Sequence, residues 1–470
     1  MLHYTLNKQP GIPLYDCLYR AIRNDILRGR LKSGQRLPSK RDMAADNNLS
    51  ITTVMNAYQQ LLMEGYLVSE EKKGYFVADI QAMPAAVVPR TAEKQFYTED
   101  NWFADFRSNN ILYHHFPFAT WKKVLREILS EYDIELVRWA DPFGLRVLRE
   151  QIADYLYRVR GISVSPECIV IGAGIEYLYA RLITLFPPAT IYAVENPGYQ
   201  KISRIYQAYH LRWKSVAMDG SGIYLSDLRT QDAAIVHVSP EHHYPLGTMM
   251  PMGRRQELLS WAAEARERYI IEDDFDCEFR YNSKPIPALK SMDSQGKVIY
   301  MNTFSKTLSP AVRVSYMVLP EHLAEQYIYS THFYTNTASS LEQYAVARFI
   351  EKGYFERHLN RVRKLYRQEG ERLWSLLSES RDIPIRKMSG VSSGTHLLIE
   401  LDTEMTDAEV KQKAADQGVY VACLSDYCSK DSERYEHTLI LNYSELDDDT
   451  QREAIRRLGK VFKKESAPMK

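Results

Sequence analysis

Apolar side chains recur every fourth residue at Leu14, Leu18, Ile22 and Ile26, one stripe of a helix over 14–28. Gly34 and Pro38 break the chain, and Ser39 stands where a short helix through about Asp46 would be capped. After the polar turn NNLS, anchored by Leu49, Ser50 opens a second helix. There Val54, Ala57, Tyr58, Leu61 and Leu62 fall at i, i+3, i+4, i+7 and i+8, a core face that leaves Thr52, Thr53, Asn56 and Gln59 outside. Past Gly65, YLVSEEKKGYFVAD reads as two strands around a charged tip at Lys72, Lys73 and Gly74. The pattern predicts a helix-turn-helix followed by a wing.

Residues 79–101, DIQAMPAAVVPRTAEKQFYTEDN, follow neither period and read as a linker tolerant of different domain positions. From 102 the pattern changes. Apolar runs recur as CIVIG (168–172), TIYAVE (190–195), AIVHVS (234–239), YIIED (269–273), VIYMN (298–302) and VRVSYMVL (312–319). Helix-like segments such as RRQELLSWAAEARER separate most of them. Strands alternating with helices predict an α/β domain over 102–340 whose central sheet is covered on both faces. A long polar helix, roughly 341–379, leads into THLLIEL, VYVACL and TLILNYS, with helices near 406–417 and 448–463. These predict a connecting helix and a small α+β subdomain over 341–470, behind a first domain of 1–78.

At 470 residues the chain exceeds one compact core, in keeping with this division. The 60 Lys/Arg balance 60 Asp/Glu, yet eleven Lys/Arg against eight Asp/Glu fall in residues 1–80, a mild positive bias at the front. Five scattered cysteines, with no CxxC pair and no histidine cluster beside them, give no reason to expect a disulfide framework or a metal site, and they fit a reducing cytoplasm. MLHYTLNKQPGIPLYD lacks the apolar run of a signal peptide, and no apolar stretch of about 18 residues predicts a membrane span.

The second helix of the pair would present Ser50, Thr52, Thr53 and Asn56 to base edges and phosphates in a major groove. Lys40, Arg41 and Lys73, with Gly74 at the wing tip, would meet phosphates and make affinity salt-dependent. A small helical dimerisation module would show the same apolar stripes. In the larger region, polar candidates gather at the carboxyl ends of strands, where open α/β sheets bind ligands. Lys306, in NTFSKTLSPAVRVSYMVLP (302–320), follows a strand-like run. A lysine desolvated there loses basicity and can condense with an aldehyde, of which pyridoxal phosphate is the commonest in biology. That cofactor needs a carboxylate for its ring nitrogen, an aromatic face and a phosphate cradle. Asp273, in IIEDDFD, suits the first need, with a helix cap or ion pair as the plain alternative. Tyr199, in ENPGYQK, suits the second, or is an ordinary turn aromatic. GAGIEYL, with Ala173 and Gly174, is a glycine-rich turn entering a helix and suits the third, with Thr303, Ser305 and Arg313 completing it. His242 and His243, in SPEHHYPLGTMMP, lie in a loop from which one is expected to reach the ring hydroxyl, unless both are simply solvated.

RLPSKRDMAADNNLSITTVMNAYQQLLMEGYLVSEEKKGYFV resembles the winged-helix domain of GntR-type bacterial repressors, with its LPS-x-R start, TT pair, LxxEGYL close and glycine-tipped wing. The resemblance implies that Arg41, Ser50, Thr52, Thr53 and Gly74 touch DNA. Residues from about 110 to 465 resemble a fold type I aminotransferase through DPFGLRVLREQIADYLYRVRGI, IVIGAG, ENPGY, SPEHHYPLGT, IIEDDFD and TFSKTLSPAVRVSY, in that order. A winged helix fused ahead of such a domain resembles the MocR/GabR subfamily of GntR regulators. This implies a bacterial, cytoplasmic transcription regulator that binds double-stranded operator DNA and pyridoxal 5'-phosphate. Its effector would be the cofactor itself or an amine joined to it, and its assembly a head-to-tail homodimer. Lys306 then matches the Schiff-base lysine, Asp273 the ring-nitrogen partner, Tyr199 the stacking residue and Arg313 a phosphate ligand. An active aminotransferase with a fused DNA-binding domain is the alternative. Two positions depart from the family pattern. Many relatives read EDDYD, and Phe275 lacks the hydroxyl that bonds the ring oxygen. The arginine that grips a ligand carboxylate, in a strand matching LILNYSEL, aligns with Glu445, which predicts repulsion of a carboxylate and leaves Lys201 or another cation to serve instead.

Overall fold

The computed structural model describes residues 2–4, 13–79, 102–107, 115–132, 134–138, 140–281 and 286–463. The chain divides into two units, residues 1–100 and 101–470. In the first, α1 (Leu14–Leu27), α2 (Lys40–Asp46) and α3 (Ile51–Met63) precede an antiparallel hairpin of β1 (Leu67–Glu70) and β2 (Gly74–Val77). The α1 stripe of Leu18, Ile22 and Ile26 shares one core with Val54, Ala57, Tyr58 and Leu61 of α3. Both short helices begin at serines. Ser39 Oγ accepts from the Asp42 N–H at 3.2 Å and Ser50 Oγ from the Thr53 N–H at 3.0 Å, each satisfying a donor that a helix start leaves open. Ser50→Ala is expected to destabilise this unit by about 1 kcal/mol, read as a lower denaturant midpoint for its unfolding. Apart from Asp79, the linker expected over 79–101 lies outside the described residues.

β3 (Ala104–Asp105) opens the second unit, and eight strands build its main sheet: β4 (Ile169–Gly172), β5 (Ile191–Asn196), β6 (Arg212–Asp219), β7 (Gly222–Ile223), β8 (Ile235–Val238), β9 (Tyr269–Asp273), β10 (Val298–Thr303) and β11 (Ser315–Val318). Their order is β4-β11-β10-β9-β8-β5-β6-β7. The run β10, β9, β8, β5 and β6 is parallel, while β11 is antiparallel to both β10 and β4. The reading of apolar runs passed over β6, because it starts exposed at Arg212 and alternates with Lys214 near the sheet's edge. VRVSYMVL shortens at its front, because Pro310–Val312 form a single 3-10 turn and Arg313 takes a left-handed backbone (φ 49°). The long helix expected over 341–379 is two, Ser340–Glu351 and Tyr354–Glu379, broken at Gly353, whose φ of 64° no helix interior accepts.

The small subdomain carries β12 (Ile385–Ser389), β13 (His396–Leu401), β14 (Val419–Tyr420), β15 (Ala422–Cys423) and β16 (Thr438–Asn442). VYVACL is split there: β14 pairs with β3, while β15 joins the sheet β12-β13-β16-β15. Strand alternation sorts β16 into two faces. Leu439 and Leu441 join Leu397 and Ile399 in the subdomain core, whereas Ile440 and its cross-strand partner Leu398 cluster with Tyr244 of the large region, against which Phe275 and Tyr427 pack. No helix among the described residues is long and apolar enough to cross a membrane.

Candidate cofactor cavity and DNA-binding face

The main sheet brings two polar ends side by side. β9 closes at Asp273, which lies in register with Met301 of β10, and the chain leaves β10 toward Lys306. Both residues line a cavity of about 390 Å³, together with Tyr199, Phe275, Thr303, Ser305 and Arg313. Alternation along β9 decides which acid serves the cavity. Asp273 points in, while Glu272 accepts the N–H groups of Leu289 and Lys290 at 2.8 Å, and Asp274 meets Tyr300 Oη at 2.7 Å and Arg160 Nη2 at 2.9 Å.

Tyr179 donates to Asp273 Oδ2 at 3.3 Å, and His237 Nε2 lies 3.5 Å from the same oxygen and 2.6 Å from the Tyr179 hydroxyl. Asp273 Oδ1 is buried with no protein partner. Loss of hydration within the cavity wall pushes the Lys306 ammonium down to about 7, with Lys201 adding to the effect and Asp276 opposing it. Thr303 Oγ1 accepts from Ser315 Oγ at 2.7 Å and from the Ser305 N–H at 3.1 Å, which fixes the turn that carries the lysine.

At the other end, the helix Ile175–Ile183 starts against Arg313. Arg313 Nη2 donates to the Ala173 carbonyl at 3.2 Å and to Glu176 Oε2 at 2.9 Å, and the second Glu176 oxygen pairs with Lys201. Burial alone would raise the Glu176 pKa, but these two cations and its own backbone N–H hold it down at about 2. Ala173 and Gly174 do not line the cavity as donors. The Ala173 N–H goes to Thr337 Oγ1 at 3.2 Å and the Gly174 N–H to the Gly172 carbonyl at 2.9 Å. Gly174 matters through its missing side chain: at φ 98° a Cβ there would run into the Arg313 guanidinium.

His242 and His243 also stand away from the cavity. His242 Nδ1 is hydrogen-bonded to Asp276 Oδ2 at 2.7 Å, and His243 Nε2 lies 3.4 Å from Glu195 Oε2. Burial keeps the second pair neutral, with Glu195 raised to about 8 and His243 lowered to about 3. The next residue, Tyr244, does reach the wall, its hydroxyl 3.0 Å from that of Tyr427, so the hydroxyls near Phe275 come from these two tyrosines. Glu445 lies beyond the end of β16 and is not on the wall; the side of that strand turned toward Phe275 and Tyr427 presents Ile440. The repulsion expected from Glu445 therefore has no counterpart on the wall. Sequence reasoning missed Tyr244, Tyr427, Glu176 and Arg107 on this wall. The first lay inside SPEHHYPLGT and the third inside GAGIEYL, whereas Tyr427 and Arg107 sit in segments without a motif.

In the first unit, Arg41, Ser50, Thr52 and Asn56 are exposed and Thr53 is half-buried, its hydroxyl 2.8 Å from that of Ser50. Lys40 lies over the Tyr75 ring at 5.4 Å, Lys73 pairs with Glu70 at 2.9 Å, and Gly74 holds the wing tip at φ 119° above the Arg36 guanidinium.

Comparison with known proteins places both units. Residues 14–77 match the bacterial regulatory proteins of the gntR family, and residues 103–458 match aminotransferase class I and II. The HTH-type transcriptional regulator YdeL of Bacillus subtilis is 37% identical over 97% of this chain and 98% of its own length. The probable rhizopine catabolism regulatory protein MocR of Rhizobium meliloti is 30% identical, over 97% of this chain and 95% of its own. Kynurenine aminotransferase of Pyrococcus horikoshii superposes with a TM-score of 0.69 at 24% identity, over 77% of this chain and 91% of that one, a likeness of fold. A winged helix with a capped second helix, followed by an aminotransferase fold and matched end to end by such relatives, makes this chain a member of the MocR-type GntR family of HTH transcriptional regulators.

Proposed function

We propose that the second unit binds pyridoxal 5'-phosphate at Lys306 and that the cofactor's state, alone or joined to an amine, governs the binding of operator DNA by the first unit. The observation that carries this reading is a single cavity that brings together Lys306, whose ammonium burial pushes down to about 7, and a buried carboxylate oxygen of Asp273 without a hydrogen-bond partner. The cofactor, when bound, supplies an aldehyde carbon on which amines exchange. The residues fit it. Asp273 Oδ1 would accept the ring N–H, while Tyr179 and His237 keep the other oxygen from turning away. Arg313, Ser305 and the positive end of the helix Ile175–Ile183 would hold the phosphate. Tyr199 offers its ring as a face, and burial makes the Lys306 amine easier to free of its proton than an exposed lysine. Turnover of ordinary amino acids is not favoured, because among the described residues β16 puts no basic side chain on the cavity wall and its Ile440 packs with Tyr244 and Leu398.

Purified protein mixed with the cofactor is expected to develop a visible absorption band, and candidate amines to shift that band while changing affinity for labelled promoter DNA in the same titration. A protein that stays colourless would leave the large domain as a dimerising body and end this reading. A homodimer, head to tail, belongs to the proposal. Val137 (82% exposed) and Tyr329 (86% exposed) are large apolar surfaces that a second copy would cover. Two winged helices would then read half-sites one turn of about 34 Å, or a multiple, apart. Arg41→Ala is expected to weaken binding to all duplexes alike and to lower the salt slope by about one. Asn56→Ala should instead relax sequence preference, a difference that titrations at several salt concentrations against operator and scrambled DNA resolve.

A further inference from the structure

We propose that α3 selects an A·T segment of the operator, with Ile51 and Met55 packing on thymine methyl groups and Asn56 and Gln59 bonding adenine. The inference rests on the DNA-binding reading above and names the base class that this helix takes. α3, ITTVMNAYQQLLM, carries no Lys, Arg, Asp or Glu. In a major groove, guanine is most often read by Arg or Lys on its O6 and N7, and cytosine by a carboxylate that accepts from its amino group. This helix offers neither kind of side chain. What it offers are amides, which pair with the N6 and N7 of adenine, and apolar groups, which suit the thymine methyl.

The apolar groups are placed for that contact. Side chains four apart on a helix lie side by side, so Ile51 and Met55 form one row and Thr52 and Asn56 the next. Ile51 is 53% exposed and Met55 39%, and neither joins the core that Val54, Ala57, Tyr58 and Leu61 build from the other face. Both lie in the first two turns, the part of a recognition helix that meets base edges. The thymine methyl is the apolar group that base edges present in that groove. Ser50 and Thr53 are spent on the helix start, their hydroxyls 2.8 Å apart and Ser50 Oγ accepting the Thr53 N–H at 3.0 Å. Thr52, Asn56 and Gln59 remain exposed beside the apolar row. The cations expected on phosphates lie off this helix, Lys40 and Arg41 on α2 and Lys73 ahead of the wing's Gly74. Positive charge around an uncharged helix suits a polyanion with methyl groups in its groove better than an apolar protein surface.

The full-length protein, with and without pyridoxal 5'-phosphate, is used to select sites from a pool of randomised duplexes. The enriched duplex is then remade with deoxyuridine in place of thymidine, one position at a time, which removes the methyl and leaves base pairing intact. Wild type is expected to bind about fourfold more weakly at one or more positions, the worth of one buried methyl. Ile51→Ser and Met55→Ala should each close that gap at a position of its own. Ile51→Val, which keeps a branched apolar side chain, should retain it, so a general loss of folding does not pass for the effect. Met55→Arg, taken through the same selection, should enrich guanine where wild type enriches A·T. A wild type indifferent to every exchange overturns the inference. So do losses that persist in both Ile51→Ser and Met55→Ala, since DNA stiffness would then carry them. An invariant G·C pair at the position that Asn56→Ala relaxes overturns it as well. A pool from which no sequence is enriched overturns the DNA-binding reading itself, whereas enriched sites without a methyl effect overturn this inference alone.

Discussion

Lys306→Ala is expected to abolish the visible band formed with pyridoxal 5'-phosphate and, with it, every amine-dependent change in operator affinity, while DNA binding by the winged helix persists. The loss should be complete rather than partial. Lys201, the other lysine on the wall, is paired with Glu176 and lies away from the turn that follows β10. A second consequence separates the amine's chemistry from its packing. In the cofactor-free protein, burial pushes the folded pKa of Lys306 down to about 7 from 10.5. Between these values the unfolded chain binds one more proton than the folded one, so stability rises with pH across that window. At and below pH 7 the burial penalty is fully present, and above 10.5 it is gone. Lys306→Met should therefore raise the melting temperature of the cofactor-free protein most at pH 7 and below, with the gain fading as pH approaches 10.5. Thermal melts of both proteins across that range check the sign. Retention of the band by Lys306→Ala would remove the chemical basis of the proposed sensing.

How much of this was legible in the chain depends on whether a position was set locally. The first unit was, because its helices repeat apolar residues at a single period and begin at serines that cap them. Asp273 and Lys306 were legible for a related reason. Each lies at or just past the end of an apolar parallel strand, and in such a sheet the carboxyl edge is where the chain turns out toward a ligand. Within IIEDDFD the choice among acids also follows from alternation, which turns Glu272 and Asp274 to the opposite face. Loops carry no such period. Of the neighbours His242, His243 and Tyr244, nothing local says which reaches the wall; that is fixed by Asp276 and Glu195, which come from other segments and bind the two histidines. The same holds for Arg107 and Tyr427, brought in by the pairing of β3 with β14 and by the small subdomain. Glu445 follows a short strand, where a shift of a few residues exchanges an acid past the strand's end for Ile440, which faces Tyr244 and Leu398.

Glu241→Ala is expected to destabilise the second unit by about 3–5 kcal/mol, the range for removing one partner of a buried ion pair. Glu241 is 3% exposed and faces three arginines: Arg255 Nη2 at 3.3 Å, Arg160 Nη2 at 3.6 Å and Arg280 Nη1 at 2.5 Å. Arg160 keeps Asp274 at 2.9 Å, Arg255 keeps the carbonyls of Met250, Pro287 and Pro240, and Arg280 keeps the Met249 sulfur at 3.4 Å, while the cluster loses the one acid common to all three. That places the cost in uncompensated buried charge rather than in missing contacts, and Glu241→Gln, which keeps the shape, should recover only part of it. Burial alone would raise the Glu241 pKa, but Arg160, Arg280 and Arg255 pull it below the ordinary 4.5. A depressed carboxyl contributes stability that is present above the unfolded value and lost as pH falls through the folded one. The gap between wild type and Glu241→Ala in denaturant midpoint should thus be widest near neutrality and narrow below pH 4.5. Glu241 also begins the loop that carries Tyr244 to the cavity wall, so the same substitution should weaken cofactor loading in protein that remains folded. Equal midpoints for mutant and wild type at pH 7 would mean that the three arginines are satisfied without it, and would remove the charge cluster from the forces that hold that loop.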